Sequence, residues 1–381
     1  MENRRQVLQV CHSYYPPFLD VARQYNALFD RKDWHITTVF LTGAKDPAIA
    51  EQIGSDEVIF LEHASSALRG FKLTQIRQLR AIAKAARFEF AIAHRYKALY
   101  ICNHVPGLFT FGVHHRPGGY NRWTRRFYVK GHRKNLALIG VSNAVRDDMR
   151  RSLPELPEDR IVTLYNHIDV DVQRAELLPR DAAREKLGLP KDAYLFGNVG
   201  RLHPDKDQNT LIRAFARAGD ALGDAHLVIV GKGRLEHDLK NLARELGIAD
   251  RVIFTGPVPE ARRFFRAFDS FVLSSDHEPF GMVLLEAMAA RLPIATTVCG
   301  GAGEVVGDSA LGFDLGDVEG LSLVYRRLRA MDASDTETML ARSEERLQTL
   351  FTDRAVQAAF WSLPIVRNLI AAGKISAGAR S

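Results

Sequence analysis

Short apolar runs alternate with longer mixed stretches along the first half of the chain. The runs are too short for helices, and most are rich in β-branched and aromatic residues, which is typical of buried strands. The predicted strands are 7–11, 35–41, 57–61, 90–94, 108–114 and 137–142, and 72–87 has the spacing of an amphipathic helix. This alternation predicts a mostly parallel sheet covered by helices, with ligands bound beyond the carboxyl ends of its strands.

The second half of the chain shows the same alternation. Strands are predicted at 194–199 and 270–275, and an amphipathic helix at 208–218. A length of 381 residues exceeds what one compact core usually holds. The pattern therefore predicts an α/β protein of two doubly wound domains.

Composition narrows the class of protein. Hydrophobic residues make up 46% of the chain, as in globular proteins, and no apolar run approaches the roughly 18 residues that cross a bilayer. The first residues pass directly into a strand pattern rather than a signal-peptide core, so we expect a cytoplasmic protein. Cys11, Cys102 and Cys299 are scattered, which predicts reduced, buried thiols. Because the 13 histidines show no paired ligand spacing either, no structural metal is expected.

The net charge of +7 is unevenly distributed. No acidic residue lies between Glu89 and Asp147, and aromatic residues alternate with cations there. Such a surface would attract a phosphorylated acceptor or the anionic inner face of a membrane. A solvated helix face over packed aromatics is the structural alternative, and nucleic acid is disfavoured because no known recognition module is readable. The cations of the window are Arg95, Lys97, Arg116, Arg122, Arg125, Arg126, Lys130, Arg133, Lys134 and Arg146.

Two carboxylates flank a predicted helix start in the second half. Glu278 follows the strand at 270–275, Gly281 allows close backbone approach to a ligand, and Glu286 lies within the helix that begins there. A helix start can bind phosphate, and a carboxylate can accept two hydrogen bonds from a sugar diol. An acidic loop followed by a solvated helix face would give the same spacing.

A basic turn follows the strand at 194–199. Arg201 and Lys206 flank it, and Asp207 stands where it would cap the next helix. Two cations can neutralise a diphosphate leaving group without a metal ion. Taken alone, the turn could also be a solvated basic loop.

These motifs, in this order, resemble the retaining family 4 glycosyltransferases. Segment 200–206 resembles the family's diphosphate clamp, 226–233 its next strand and glycine turn, 251–258 its base-contacting loop and 278–286 its acidic motif. The resemblance implies the GT-B fold, in which two Rossmann-like domains face a central cleft. In the first half the likeness is looser, because Pro16 and Pro17 stand where many relatives carry a glycine pair.

The resemblance also implies roles for individual residues. Arg201 and Lys206 would bind the diphosphate, Val258 the base through its backbone, Glu286 the ribose and Glu278 the transferred sugar. His114 would lie beside that sugar, with His115 as the alternative. The implied catalytic residues are His114, Glu278, Arg201 and Lys206. The implied donor-binding residues are Arg201, Lys206, Gly256, Val258, Glu278, Phe280, Gly281, Met282, Val283 and Glu286, with Gly300 and Gly301 nearby. The expected acceptor-binding residues are His94, His115, Arg116, Tyr120 and Arg122.

The expected domain organisation follows the same resemblance. Segment 165–169 resembles the family's interdomain turn, with His167 in place of a glycine. We expect an acceptor domain at 1–169, a linker at 170–190 and a nucleotide-sugar domain at 191–352. One helix at 353–372 would cross back to the first domain, and 373–381 would be a mobile tail.

The function expected from this sequence is transfer of a sugar, with retention of configuration, from a UDP- or GDP-linked donor to a cell-envelope glycan. A phosphorylated lipopolysaccharide core is the leading acceptor, no cofactor or metal is expected, and the cytoplasmic membrane face is a candidate location. A sugar phosphorylase, a nucleotide-sugar epimerase and a non-catalytic nucleotide-sugar-binding protein remain alternatives. A dinucleotide-dependent oxidoreductase is disfavoured, because segment 230–236 lacks the third glycine of that fingerprint.

Overall fold

The computed structural model describes residues 4–15 and 18–376. The first-loop residues Pro16 and Pro17 and the tail residues 377–381 lie outside this described part. The described chain divides into two compact units. Unit 1 holds the residues up to Asn166 and those from Asp353 onward, and unit 2 is His167–Thr352.

Unit 1 is built on a parallel sheet that has seven strands in its described part. The strand order is β3-β2-β1-β4-β5-β6-β7. The central strand β1 is buried on both faces, which explains the mainly apolar run that predicted it. The strands are β1 (Arg5–Cys11), β2 (Trp34–Thr42), β3 (Glu57–His63), β4 (Phe90–His94), β5 (Phe109–His114), β6 (Leu136–Gly140) and β7 (Ile161–Thr163). The six predicted strands of this half are confirmed.

Helices connect these parallel strands, since a parallel neighbour can be reached only by a crossover. The predicted helix at 72–87 is confirmed as α3, whose apolar positions Ile76 and Leu79 are buried. The first six helices are α1 (Phe18–Asn26), α2 (Pro47–Ile53), α3 (Leu73–Ala86), α4 (Arg95–Cys102), α5 (Trp123–His132) and α6 (Asn143–Ser152).

Unit 2 repeats the architecture with a six-stranded parallel sheet, ordered β10-β9-β8-β11-β12-β13. The predicted strands are confirmed, although the run at 270–275 ends early and leaves Ser274 and Ser275 beyond the strand. The strands are β8 (Leu195–Val199), β9 (His226–Val230), β10 (Val252–Gly256), β11 (Ser270–Leu273), β12 (Ile294–Thr297) and β13 (Leu311–Phe313).

Two helices of unit 2 lie where a linker was expected. The expected linker at 170–190 contains α7 and α8 and belongs to unit 2. The predicted helix at 208–218 is confirmed as α9, and the Asp207 side chain caps it by accepting a hydrogen bond from the Thr210 N–H. These helices are α7 (Val170–Glu176), α8 (Arg180–Leu187), α9 (Gln208–Ala218), α10 (Glu236–Glu245), α11 (Met282–Ala289), α12 (Gly300–Val306), α13 (Val318–Ala330) and α14 (Ala333–Leu350).

The chain then returns to unit 1 through two helices, where one was expected. They are α15 (Asp353–Ser362) and α16 (Pro364–Ala371). The break falls at Pro364, whose ring removes the N–H that a continuous helix needs and is well suited to a new helix start. Trp361 Nε1 donates to the Leu28 carbonyl at 2.9 Å, and the Trp361 ring packs on Trp34.

Both sheets reverse their strand order beside a central strand. This switch point lies between β1 and β4 in unit 1 and between β8 and β11 in unit 2. In open α/β sheets, the crevice at the carboxyl ends of such strands is where ligands bind. Within the described residues, no helix combines the length and apolarity needed to cross a bilayer.

Candidate functional site

An ion pair occupies the switch point of unit 2. Lys206 ends a short 3₁₀ turn, Pro204–Lys206, beyond β8, and Glu278 lies in the loop after β11. Lys206 Nζ lies 2.6 Å from Glu278 Oε2, and the two side chains are only 18% and 11% exposed. Two residues 72 positions apart thus meet because β8 and β11 are neighbours in the sheet.

Two buried serines connect the basic turn to the acidic loop. Ser274 Oγ donates to the Lys206 carbonyl at 2.9 Å. Ser275 Oγ accepts from Lys206 Nζ at 3.4 Å and donates to Glu278 Oε2 at 3.3 Å. Sequence reasoning assigned these serines to the strand and missed their role. Their position, directly between a buried strand and an acidic loop, was the available signal.

Arg201 lies apart from this pair. Its side chain is 72% exposed and lies 3.2 Å from Asp205 Oδ2. Arg201 and Lys206 therefore share one turn but differ in surroundings, and an exposed guanidinium can reorient toward an anion at little cost.

The acidic loop leads into α11 through a glycine that the geometry requires. Gly281 has φ of +98°, and a Cβ there would lie 2.9 Å from Leu284 Cδ1. Met282 and Val283 open the helix, and the half-buried Glu286 lies in its second turn. Phe280 differs from expectation, because its side chain is buried against Phe351. That burial leaves only the Phe280 backbone for a donor contact.

Backbone contacts hold the neighbouring loops close together. A Cβ on Gly231 would lie 1.9 Å from the Gly200 carbonyl oxygen, so only glycine fits there. The Gly231 N–H donates to the Gly256 carbonyl at 2.9 Å, and the Gly301 N–H donates to the Glu278 carbonyl at 2.7 Å. Val258 is half-buried two residues beyond Gly256. The predicted donor residues therefore cluster at one end of the unit 2 sheet.

A cavity of about 300 Å³ lies at the switch point of unit 1. Its walls come from the segments that follow β1, β4 and β5, as the predicted strand ends imply. The lining residues are His12, His94, Arg95, Tyr96, Lys97, His114, His115, Arg116, Pro117, Gly118, Gly119 and Arg125. The predicted residues His94, His114, His115 and Arg116 are thereby brought together.

The histidines of this cavity are neutral. Burial, with help from the charges of Arg125 and Arg95, lowers the pKa of His114 to about 3. Burial and Arg95 likewise lower the pKa of His94 to about 3. His94 Nε2 lies 3.1 Å from Gln9 Oε1, and the His94 ring stacks on that of His115 at 5.6 Å.

Tyr120 and Arg122 do not lie where residues that contact the acceptor would be expected. Tyr120 is fully buried, and its hydroxyl lies 2.8 Å from His114 Nε2, so this tyrosine orients the histidine. Arg122 precedes α5 and does not line the cavity. Arg125 takes that place, with its guanidinium over the Tyr96 ring and one N–H donating to the Gly119 carbonyl.

The cavity is strongly cationic. No Asp or Glu is among its lining residues, and its four cations Arg95, Lys97, Arg116 and Arg125 form no ion pair within the described chain. Burial and the neighbouring Arg116 lower the pKa of Arg95, and burial with the charges of Arg69 and Arg125 lowers that of Lys97. A bound anion would stabilise the charged forms of these cations, which burial and their like-charged neighbours disfavour.

The cysteines match the expectation of buried thiols only in part. Cys11 and Cys102 are buried thiols, and burial raises the pKa of each. Cys299 is partly exposed, and its Sγ donates to the Ser275 carbonyl at 3.0 Å beside the acidic loop. In the described part of the chain, no three or more His, Cys, Asp or Glu side chains are arranged to hold a metal ion.

Comparison with known sequences identifies both halves. Residues 8–172 match the family model described as Glycosyltransferase Family 4, and residues 179–322 match Glycosyl transferases group 1. Among curated relatives, the lipopolysaccharide core biosynthesis glycosyltransferase LpsE of Rhizobium meliloti is 35% identical over 182 residues. That alignment covers 47% of this chain and about half, 52%, of the relative.

Solved structures share the fold at low identity. A glycosyltransferase from Rickettsia africae gives a TM-score of 0.83 at 15% identity, covering 97% of this chain and 99% of the other. HepE of Anabaena, solved with UDP and glucose, gives 0.72 at 18% identity, with 94% and 98% covered. Since the two family models span most of the sequence and both sheets fit this fold, the chain belongs to the family 4 glycosyltransferases of the GT-B fold.

Proposed function

We propose that this protein transfers a sugar from a UDP-linked donor to a hydroxyl of a phosphorylated cell-envelope glycan, with retention of the anomeric configuration. The observation that carries the proposal is the Lys206–Glu278 pair at the unit 2 switch point. A largely buried cation and carboxylate that contact each other are also the two kinds of group that a sugar diphosphate needs.

Donor binding exchanges partners within this pair. Lys206 Nζ turns to the diphosphate, and the Glu278 carboxylate accepts hydrogen bonds from the sugar hydroxyls. Because each partly buried group gains new hydrogen-bonding partners, neither is left unsatisfied, which would be costly. Arg201 adds a second positive charge from its exposed position, and Glu286 accepts from the ribose.

The reaction then breaks the bond between the anomeric carbon and the diphosphate oxygen. The acceptor oxygen forms its bond to that carbon on the same face, and its proton passes to an oxygen of the leaving diphosphate. Lys206 and Arg201 stabilise the charge that develops on the leaving group, so no metal ion is needed in this scheme. Activity is therefore expected to survive treatment with a chelator.

In this proposal the unit 1 cavity binds the acceptor, and its cations select an acceptor that carries an anionic group. Four unpaired cations at a switch point favour a phosphate group on the acceptor, and neutral histidines can donate to or accept from sugar hydroxyls. Support for an envelope glycan comes from LpsE, whose name places it in lipopolysaccharide core synthesis. Support for UDP comes from the HepE complex.

The first experiment is thermal unfolding with and without UDP, GDP, ADP and their sugar conjugates. A ligand at about a hundred times its dissociation constant adds roughly 2.7 kcal/mol of stability, which a melting shift detects. A shift with the UDP series that disappears in Lys206→Ala and Glu286→Ala supports the donor site. The matched control is Lys240→Ala, which removes an exposed Lys–Glu pair of unit 2. A shift with the GDP series alone would replace UDP by GDP, and no shift with any nucleotide would overturn the donor site.

The second experiment follows the product by proton NMR. Incubation of a UDP-sugar with a phosphorylated core oligosaccharide should give a product whose anomeric coupling matches that of the donor. An inverted product would contradict retention. Equal transfer to the dephosphorylated oligosaccharide would contradict the role given to the cationic cavity.

A further inference from the structure

Unit 1 exposes four large apolar side chains on two neighbouring elements. Phe71 and Leu73, at the turn into α3, are 77% and 69% exposed, and Trp123 and Phe127 of α5 are 70% and 73% exposed. Trp123 and Phe127 are four residues apart and so share one helix face. Single exposed apolar residues are ordinary, but four such large ones from two adjoining elements are not.

An aromatic cluster joins the two elements. Lys72 Nζ lies 4.6 Å from the centre of the Tyr100 ring, and that ring lies 4.8 Å from the ring of Tyr128 in α5. Burial lowers the pKa of Lys72, with contributions from the charges of Lys97 and Arg125. The turn at 71–73, through Lys72, and helix α5, through Tyr128, therefore both contact the Tyr100 ring.

Positive charge surrounds these apolar side chains. Between residues 63 and 146 the sequence has 16 Lys and Arg residues, and Glu89 is its single acidic residue. Glu89 accepts hydrogen bonds from the Ser376 N–H and hydroxyl at 2.6 and 2.8 Å. On α3, cations recur every three or four residues at Arg77, Arg80 and Lys84, and Arg87 follows in the same spacing, which places all four on one side.

The composition of this surface selects one class of partner. Exposed aromatic and leucine side chains ringed by cations match the boundary of an anionic bilayer, where rings enter the headgroup region and cations meet lipid phosphates. A nucleic-acid duplex would use the cations, but its paired and stacked bases would leave the leucine and phenylalanine at the turn without a partner. A second copy would bring a like-charged surface against this one.

We propose that unit 1 docks on an anionic membrane through this surface, made of Phe71, Leu73, Trp123, Phe127 and the cations of α3. The docking goes beyond the transfer reaction and does not depend on the donor site, since none of these residues belongs to either switch point. It would hold the protein where a lipid-linked glycan is presented.

The test uses the full chain and vesicles of phosphatidylcholine with about 30% phosphatidylglycerol. Co-sedimentation should be strong with these vesicles, weak with phosphatidylcholine alone, and reduced at least about tenfold by high salt. The combined change Phe71→Ser, Trp123→Ser and Phe127→Ser should weaken binding at least about tenfold. Leu323→Ser, which removes an exposed leucine of unit 2, is the matched control and should bind as the parent does.

A second readout reports the position of the surface itself. Brominated lipids should quench fluorescence from Trp123, because Trp34 is buried and Trp361 is engaged with Leu28. The signal should be lost in Trp123→Phe, which should still sediment. The UDP melting shift, unchanged in all these variants, shows that they are folded and separates this proposal from the donor site.

Three outcomes would overturn the proposal. They are equal sedimentation of the triple variant and the parent, sedimentation that ignores lipid charge, and quenching that persists without Trp123. Displacement from vesicles by a short DNA duplex at equal phosphate concentration would assign the surface to nucleic acid instead. Concentration-dependent dimerisation that the triple variant abolishes would assign it to a second copy.

Discussion

The two switch points of this protein have the same strand order and opposite electrostatics. In unit 2, Lys206 is paired with Glu278 and Arg201 with Asp205. In unit 1, the four cations of the cavity have no carboxylate partner within the described chain, and the histidines between them are neutral. One sheet topology thus carries a self-neutralised site in unit 2, where cations and carboxylates are paired, and a cationic site in unit 1 that would bind an anion. The function of each site therefore follows from the chemistry of its loops and not from the fold.

The difference extends over each whole unit. By sequence, residues 1–166 and 353–381 carry 29 Lys and Arg against 16 Asp and Glu, a formal charge of +13. Residues 167–352 carry 23 against 29, a formal charge of −6. The basic isoelectric point of the chain is therefore a property of unit 1 alone, which is the unit proposed to meet the phosphorylated acceptor and the membrane.

Removing the cation of the self-neutralised site should have the largest effect. Lys206→Ala takes away the proposed contact to the leaving group and leaves Glu278 without its cation. We expect turnover to fall about 10²- to 10³-fold, or roughly 3–4 kcal/mol in the barrier. Steady-state kinetics with the UDP-sugar measures this fall, and unchanged turnover would remove Lys206 from the mechanism.

The second-largest effect is expected from disturbing the packing between the loops of unit 2. Gly231→Ala places a Cβ 1.9 Å from the Gly200 carbonyl oxygen, and neither backbone can yield easily. We expect a loss of about 2–3 kcal/mol in stability together with loss of the UDP melting shift. Chemical denaturation gives the first quantity. Gly247→Ala is the control, because its φ of +69° is strained as well but nothing lies within 4 Å of the added Cβ.

The buried histidines should make unit 1 sensitive to acid. His114 has its pKa lowered to about 3, so the unfolded chain binds its proton below about pH 6.5 while the folded chain does not. Stability should therefore fall as pH drops from 6.5 toward 3, by about 1 kcal/mol per pH unit for one such histidine. Melting of His114→Asn across this range should show a smaller slope than the parent. An identical slope would mean that His114 does not titrate differently in the two states.

A smaller effect is expected where Tyr120 orients His114. Tyr120→Phe keeps the buried ring and removes the hydroxyl that lies 2.8 Å from His114 Nε2. We expect a loss of about 1 kcal/mol in stability. If His114 also needs this orientation for the reaction, turnover will fall with little change in KM for the donor. Tyr25→Phe is the matched control, since the Tyr25 hydroxyl is buried without a hydrogen-bond partner in the described structure.

The smallest effect is expected at an exposed ion pair of unit 2. Lys240 and Glu236 lie 2.7 Å apart on α10, with side chains 45% and 37% exposed. Lys240→Ala should cost no more than about 0.5 kcal/mol and leave turnover unchanged. Thermal unfolding checks the first statement. A larger loss would mean that burial is not what distinguishes Lys206 from other paired lysines.

Much of the fold was readable from local pattern. The apolar runs located most strands of both sheets because parallel strands are buried on both faces, although the short strands β7, β12 and β13 were not predicted. Asp207 marked the start of α9 because a cap is a local interaction. Errors arose where structure depended on single residues or on distant packing. Pro364 split the last helix, and α7 and α8 formed in the segment that was expected to be a linker from its position after the interdomain turn.

The candidate site divides in the same way. Sequence placed Arg201, Lys206, Glu278 and Glu286 beside strand ends and a helix start, because those relations are local. It could not show that Phe280 is buried on Phe351 or that Tyr120 turns inward to His114, since each depends on a contact with another element. It also missed His12, Gln9 and Arg125, whose side chains meet the cavity or its histidines only after β1, β4 and α5 come together.

The sequence by itself determined two α/β units, a basic first half, and a set of charged and glycine residues at strand ends. Only the tertiary structure decided which of those charges neutralise each other. Lys206 meets Glu278 because parallel pairing of β8 with β11 brings their following loops to one edge, whereas the segments beyond β1, β4 and β5 bring cations and neutral histidines together without a carboxylate. Coulomb energy depends on distance in space, and folding sets that distance independently of separation along the chain.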